Sequence, residues 1–98
     1  MSSANSDSVS RVYLELCALS VREPGTWAGF HRQLREPWLE LLRHNLMALR
    51  IPAARAAVLA SLILDTIDGL ILDRLVTGES SRVDAIARAF GDLLGDAR

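Results

Sequence analysis

Apolar positions along the chain fall into four segments with helical spacing, separated by short polar breaks. The opening MSSANSDS is small, polar and without a period, so we expect residues 1–8 to form a disordered tail before one domain over residues 9–98. No segment alternates as a strand would. The pattern therefore predicts an all-α fold, an antiparallel bundle of about four helices. The predicted helices span residues 9–22, 27–49, 52–77 and 83–94.

Proline and glycine mark the predicted helix boundaries. Pro24 biases the residue before it away from the α region, and Thr26 is a suitable cap for the second helix. Pro37 lies inside that helix, where it removes a backbone donor and predicts a kink. Pro52 is acceptable in the first turn of the third helix, and Gly78 predicts its C-terminal cap.

The first predicted helix is apolar on nearly every face, so it must be covered all round. The third would be roughly 39 Å long, too long for so small a protein to bury on one side only. Gly69, in mid-helix, costs about 1 kcal/mol relative to Ala, which favours a close approach by another helix. Asp65 and Asp68 lie three residues apart on one face. We therefore predict a homodimer in which the last two helices meet their copies across a polar seam. The predicted interface residues are Asp68, Gly69, Ile71, Leu75, Val83, Ile86, Phe90 and Leu93.

Composition narrows the functional classes. Eleven basic and twelve acidic residues leave a net charge of -1, so bulk charge does not attract nucleic acid. Cys17 is the only cysteine, which excludes an intramolecular disulfide, and the start lacks a signal-peptide pattern, so a cytoplasmic location is expected. The longest nearly unbroken apolar run, residues 56–64, is far shorter than the roughly 20 residues of a membrane span. We expect no contact with a membrane.

The second predicted helix carries an aromatic stripe that favours an apolar cavity for a small effector. His31 and Asn45 fall on or beside this stripe, where each could orient a ligand. A filled core is the commoner role of such a stripe, and both readings stay open. The candidate ligand-binding residues are Tyr13, Cys17, Trp27, Phe30, His31, Leu34, Trp38, Asn45, Leu62 and Thr66.

The sequence gives little support to a catalytic site or a metal site. Asp65 and Asp68 are compatible with an acid and base pair, but no nucleophile stands near them in the sequence. Glu40 and His44 lie one turn apart, whereas a di-iron bundle needs Glu-x-x-His pairs on two helices. No glycine-rich phosphate loop or cysteine pair is present. We therefore expect a binding protein rather than an enzyme, without metal or cofactor.

The segment ASLILDTIDGLILDRLVTGESSRVDAIARAF, residues 60–90, resembles the last two helices of the regulatory domain of TetR-family transcriptional regulators. In that family, an apolar-Asp-Gly-Leu-apolar phrase ends in a glycine-containing turn and leads to an amphipathic terminal helix. RVYLELCALSVREPG, residues 11–25, followed by an aromatic-containing helix, is similar to the helices that wall the family's ligand cavity. The resemblance implies an all-helical, ligand-sensing and homodimerising domain.

One departure from the family is large. TetR-family regulators resemble one another most in an N-terminal helix-turn-helix head, and no segment here offers a recognition helix with a basic, polar N-terminal face. We expect no nucleic-acid binding by this chain alone. Two functional hypotheses follow. The first is the effector-binding and homodimerisation domain of a TetR-like regulator, and the second is a purely structural dimerisation module that pairs with intact repressors.

Overall fold

The computed structural model describes residues 3–96, which form four helices joined by short turns. These are α1 (Ser3–Arg22), α2 (Pro24–Ala48), α3 (Ala53–Thr77) and α4 (Ser80–Asp96). The described range contains no strand. The predicted all-α helical bundle is confirmed.

Helix α1 starts earlier than the sequence pattern indicated. A disordered tail was expected over residues 1–8, whereas the helix begins at Ser3; residues 1 and 2 lie outside the described range. Asp7 pairs with Arg74 of α3 across 2.7 Å, which fastens this end of α1 to a helix far away in sequence. This contact joins the polar segment to a residue far along the chain, which the composition of the segment does not indicate.

The start of α2 also differs from the expected one. Glu23 is the N-cap residue and Pro24 occupies the first turn, where the missing backbone donor has no intrahelical partner to lose. Thr26 therefore lies inside the helix, and the prediction that it caps α2 was wrong. The helix continues through Pro37 to Ala48.

Two residues with positive φ terminate α2 and α3. Arg50 has φ 70°, and the Ile51 N–H donates to the Leu46 carbonyl at 3.3 Å, a Schellman-type ending. Pro52 is the N-cap residue of α3, one position before the helix begins, rather than in its first turn as predicted. Gly78 has φ 71° and its N–H donates to the Arg74 carbonyl at 2.8 Å, which confirms its predicted role at the end of α3.

Helix α3 is the central element, because it contacts each of the other three. Its most extensive contact is with α2, and the alanines at 56 and 60, one turn apart, allow the two helices to approach closely. Helix α4 packs on α3 alone, through Val83 and an ion pair between Asp73 and Arg82 at 2.5 Å. Among residues 7–96, the buried side chains are Ala56, Leu59, Ala60 and Val83.

So small a buried set leaves most of the apolar side chains of α1 and α3 half-buried or exposed. Within residues 3–96, no helix combines the length and the apolar character that crossing a bilayer requires.

Candidate ligand-binding site

A cleft of about 640 Å³ lies between α1, α2 and α3. Each of the three helices contributes one face to it. Nine of the thirteen lining side chains are aliphatic or are Phe or Trp, and several remain partly exposed, so the cleft is open to solvent on one side. The lining consists of Val9, Ser10, Val12, Tyr13, Leu16, Phe30, Leu34, Arg35, Trp38, Leu64, Ile67, Asp68 and Ile71.

The lining follows directly from helical geometry. Positions 9, 12, 13 and 16 of α1 and positions 64, 67, 68 and 71 of α3 share the spacing i, i+3, i+4, i+7, so each set forms one face. Positions 30, 34 and 38 of α2 continue at intervals of four. Three faces that meet without filling the space between them leave the cleft.

Four side chains from the three helices form a hydrogen-bonded group, here called the polar cluster. Tyr13, Arg35 and Asp68 line the cleft, and Asp65 lies outside the lining. Arg35 Nη1 donates to Asp68 Oδ2 at 2.5 Å and Arg35 Nη2 donates to Asp65 Oδ1 at 2.6 Å. The Tyr13 hydroxyl donates to the same Asp68 oxygen at 3.1 Å and accepts from Arg35 Nη1 at 3.3 Å. The cluster therefore ties α1, α2 and α3 together.

The members of the polar cluster differ in their access to water. The Arg35 side chain is 15% exposed and that of Asp65 is 69% exposed, so the guanidinium is inside and one of its two carboxylates is outside. Burial raises the pKa of Tyr13 to about 12. It also raises the pKa of Cys17, one turn further along α1. The phenol and the thiol are thus uncharged at neutral pH, and the charges of the polar cluster belong to Arg35 and the two aspartates.

Four of the ten predicted ligand-binding residues line the cleft: Tyr13, Phe30, Leu34 and Trp38. The other six lie elsewhere: Cys17, Trp27, His31, Asn45, Leu62 and Thr66.

The surroundings of three of these six residues show why they do not line the cleft. The ring of His31 stacks on that of Tyr13, with centroids 6.0 Å apart and planes inclined by 26°, so it supports a cleft residue. Thr66 Oγ1 donates to the Leu62 carbonyl at 2.7 Å within α3. The Leu62 side chain is exposed.

Arg35 is the main site residue that sequence reasoning missed. The sequence indicated Arg35 only indirectly. Two carboxylates within an apolar helix require a cationic partner, and α2 carries several arginines that could supply it. The choice of Arg35 among the arginines depends on how α2 packs on α3, which the period of α2 alone does not determine.

The predicted dimer-interface residues are divided among three environments. Asp68 and Ile71 line the cleft inside one chain. Val83 is buried against α3, and Leu75 and Phe90 are half-buried. The remaining three residues, Gly69, Ile86 and Leu93, are exposed.

One exposed face of α3 has a regular spacing of four and three residues, here called the α3 stripe. Its ends are apolar and open, with Val58 67% and Val76 74% exposed. A Cβ added at Gly69 would meet no atom within 4 Å, so no helix of the same chain accounts for this glycine. The stripe consists of Val58, Leu62, Asp65, Gly69, Leu72 and Val76.

No group of three or more potential metal-ligating side chains occurs among the residues that the structure describes. Glu40, a candidate ligand beside His44, forms an ion pair with Arg43 instead.

Comparisons with known protein families, with curated proteins and with solved structures find no match for this chain.

Proposed function

We propose that this chain is the effector-binding and homodimerisation domain of a TetR-like transcriptional regulator, acting in the cytoplasm as a binding protein rather than an enzyme. The observation that carries the proposal is the cleft between α1, α2 and α3, with apolar walls and a hydrogen-bonded polar cluster. Its volume of about 640 Å³ lies within the range of small-molecule sites. Apolar walls provide affinity, and a few placed polar groups provide orientation.

Dimerisation is supported by the surface that one chain leaves uncovered. The accessible surface is 6950 Å², whereas a folded monomer of 10.7 kDa is expected to expose about 5,500 Å². The excess is larger than the roughly 800 Å² that each partner buries in a standard interface. The α3 stripe is the best candidate for part of this interface, because a second α3 can approach closely at Gly69.

Helix α3 offers a physical link between effector binding and dimerisation. One of its faces lines the cleft, another carries the stripe, and Arg35 bonds to both Asp68 in the lining and Asp65 in the stripe. A ligand that moves Arg35 would therefore disturb a residue of the subunit contact. In an intact regulator, such a shift of α3 would alter the spacing of the DNA-binding heads.

Replacing Trp38 by Ala tests the effector-binding part. Trp38 lines the cleft and is 60% exposed, so its removal costs little folding stability while removing much of one wall. We expect the variant to lose the rise in melting temperature that the wild-type chain shows in a screen of small apolar and aromatic compounds. Trp27→Ala is the matched control, because Trp27 is half-buried and lies outside the cleft.

The purely structural dimerisation module is the second candidate, favoured by the α3 stripe. It predicts a dimer that no compound in the screen stabilises and that Trp38→Ala leaves unaltered. A ligand response that both tryptophan variants lose equally would argue against the cleft as the site.

A further inference from the structure

Helix α1 forms one wall of the cleft but has little apolar attachment to α3. Among the contacts between helices in residues 3–96, the contact of α1 with α3 is the least extensive, whereas α1 packs on α2 much more widely. None of the α1 side chains at residues 7–22 is buried. Val9 and Val12, which line the cleft, are exposed. Helix α1 is therefore attached mainly to α2, and its N-terminal half is weakly attached to α3.

Two polar contacts join the N-terminal half of α1 to α3, and together they are here called the α1 latch. Asp7 Oδ1 forms an ion pair with Arg74 Nη1 at 2.7 Å, and the Tyr13 hydroxyl donates to Asp68 Oδ2 at 3.1 Å. The side chains of Arg74 and Asp7 are 29% and 35% exposed. Ion pairs that water reaches contribute little to stability. The α1 latch can therefore open without a large loss of free energy.

The C-terminal end of α1 is fixed by a short turn. Glu23 is the single residue between α1 and α2, and its N–H donates to the Leu19 carbonyl at 2.7 Å. The Trp27 N–H donates in turn to the Glu23 carbonyl at 3.1 Å. A helix that is fixed at this end and held by the latch near the other moves most where it borders the cleft.

We propose that α1 is a hinged wall of the cleft. It pivots near Glu23, its N-terminal half separates from α3, and it remains attached to α2, while the α1 latch holds it closed. Opening disrupts only the two latch contacts and the least extensive contact between helices, so it proceeds without global unfolding. The movement is a property of the fold and requires no effector. In the proposed effector-binding function, it would widen the entrance to the cleft.

Cys17 provides a probe of this opening, because it is the only thiol in the chain. It lies one turn after Tyr13 on the same face of α1 and is half-buried, so separation of α1 from α3 exposes it. Burial raises the pKa of Cys17, which keeps the thiol protonated and slows its modification in the closed chain. N-ethylmaleimide is an uncharged reagent for thiols, so salt does not screen its approach to the protein.

The rate at which N-ethylmaleimide modifies Cys17 in the full chain, divided by the rate in the urea-unfolded chain, measures the opening. In the wild type we expect a rate well below the unfolded one. It should depend little on low urea concentrations, because local opening exposes little surface. Added NaCl should raise the rate about two- to fivefold, since it screens the ion pair of the latch.

Charge exchange at the ion pair locates the effect. Asp7→Arg places two cations together and should raise the rate about tenfold, and Arg74→Asp should do the same with two anions. The double variant restores an ion pair of opposite polarity and should return the rate to within about twofold of the wild type. Asp84→Arg makes the same charge change as Asp7→Arg at an exposed position on α4, so it is the matched control and should leave the rate unchanged.

Modification of the wild type at the unfolded rate, or a double variant that reacts as fast as the single ones, would overturn the hinged wall. Hydrogen exchange in Asp7→Arg that accelerates in the α2–α3 contact as much as in α1 would also overturn it, because the latch would then stabilise the whole fold. If a charge variant does not fold, the wild type decides alone: no rise with NaCl, or a urea dependence equal to that of global unfolding, contradicts the proposal. These measurements include no effector, so the compound screen with Trp38→Ala decides the proposed function separately.

Discussion

Arg50 and Gly78 end consecutive helices with nearly the same backbone conformation, φ 70° and 71°. The left-handed region costs an L-residue roughly 1–2 kcal/mol, and glycine avoids that cost. Arg50 is exposed, and within residues 3–96 it is the one non-glycine residue with a positive φ. The strain at the end of α2 is therefore removable without loss of a buried contact.

Arg50→Gly should stabilise the chain by about 0.5–1 kcal/mol, because relief of strain exceeds the added flexibility of the unfolded chain. Gly78→Ala should destabilise it by about 1 kcal/mol for the opposite reason. Urea unfolding of both variants measures the two changes. If both substitutions changed the free energy of unfolding in the same direction, this interpretation of the helix ends would be contradicted.

Tyr13 allows the polar cluster to be examined by titration, because it is the only tyrosine in the chain. Burial raises its pKa to about 12, so the ultraviolet absorbance of tyrosinate should develop near that pH in the folded chain. In denaturant the midpoint should return to about 10. Between these two values the unfolded chain loses its phenolic proton first, so stability should fall as the pH rises through this range.

A folded-state midpoint near 10 would show that the phenol is not held in the cluster. Tyr13→Phe should reduce the alkaline loss of stability, since it removes the group that titrates.

Helix α4 is the most weakly attached of the four elements. It packs on α3 alone, and within the described range Val83 is its one buried side chain. Elements with few buried contacts open locally before the rest of the fold. We expect the amides of α4 to exchange hydrogen faster than those of the α2–α3 contact.

Val83→Ala should destabilise the attachment of α4 by about 2 kcal/mol, since it removes buried methyl groups and leaves a cavity. Hydrogen exchange should accelerate across α4 and remain unchanged in α2. Val21→Ala is the matched control, because Val21 on α1 is 81% exposed and should leave exchange unaltered. Uniform acceleration in all four helices would mean that α4 opens only with the whole chain.

In the whole molecule, the α3 stripe gives the proposed dimer a direct test at Gly69. A leucine there meets no atom of its own chain, so Gly69→Leu should not destabilise the monomer. If a second α3 packs against this face, the same side chain keeps the two helices apart. Sedimentation equilibrium should then shift from about 21 kDa, twice the chain mass of 10.7 kDa, toward the monomer.

Gly91→Leu is the control for the dimer test, because Gly91 on α4 also has no atom within 4 Å of an added Cβ. Gly91 is exposed, but it does not continue the spacing of three and four residues that the exposed positions 86, 89 and 93 follow. Gly91→Leu should therefore leave the mass unchanged. A wild-type monomer, or a dimer that Gly69→Leu does not affect, would remove the α3 stripe from the subunit contact.

The number and order of the helices could be predicted because their signals are local. Breaks at Pro24, Pro52 and Gly78 act through backbone geometry within a few residues, and the spacing between them is helical throughout. The helical start of α1 could not be predicted in this way. Its ion pair with Arg74 joins residues that only the folded chain brings together.

The candidate site was predictable only in part, and the residues show why. Phe30, Leu34 and Trp38 lie on the clear apolar stripe of α2, so their common face could be read from the spacing, and they line the cleft. Helix α3 is apolar on nearly every side, so its period does not say which side meets α1 and α2. Leu62 was therefore assigned to the cavity although it lies on the exposed stripe.

The sequence by itself determined that this chain forms four helices with an aromatic face on the second, because helix signals are carried by neighbouring residues. Only the tertiary structure decided that Arg35 joins Asp65 to Asp68 beside Tyr13, and which side of α3 remains open. Those contacts link residues 22 to 55 positions apart. They depend on how helices rotate and pack against one another, which the periodicity of a single helix leaves undetermined.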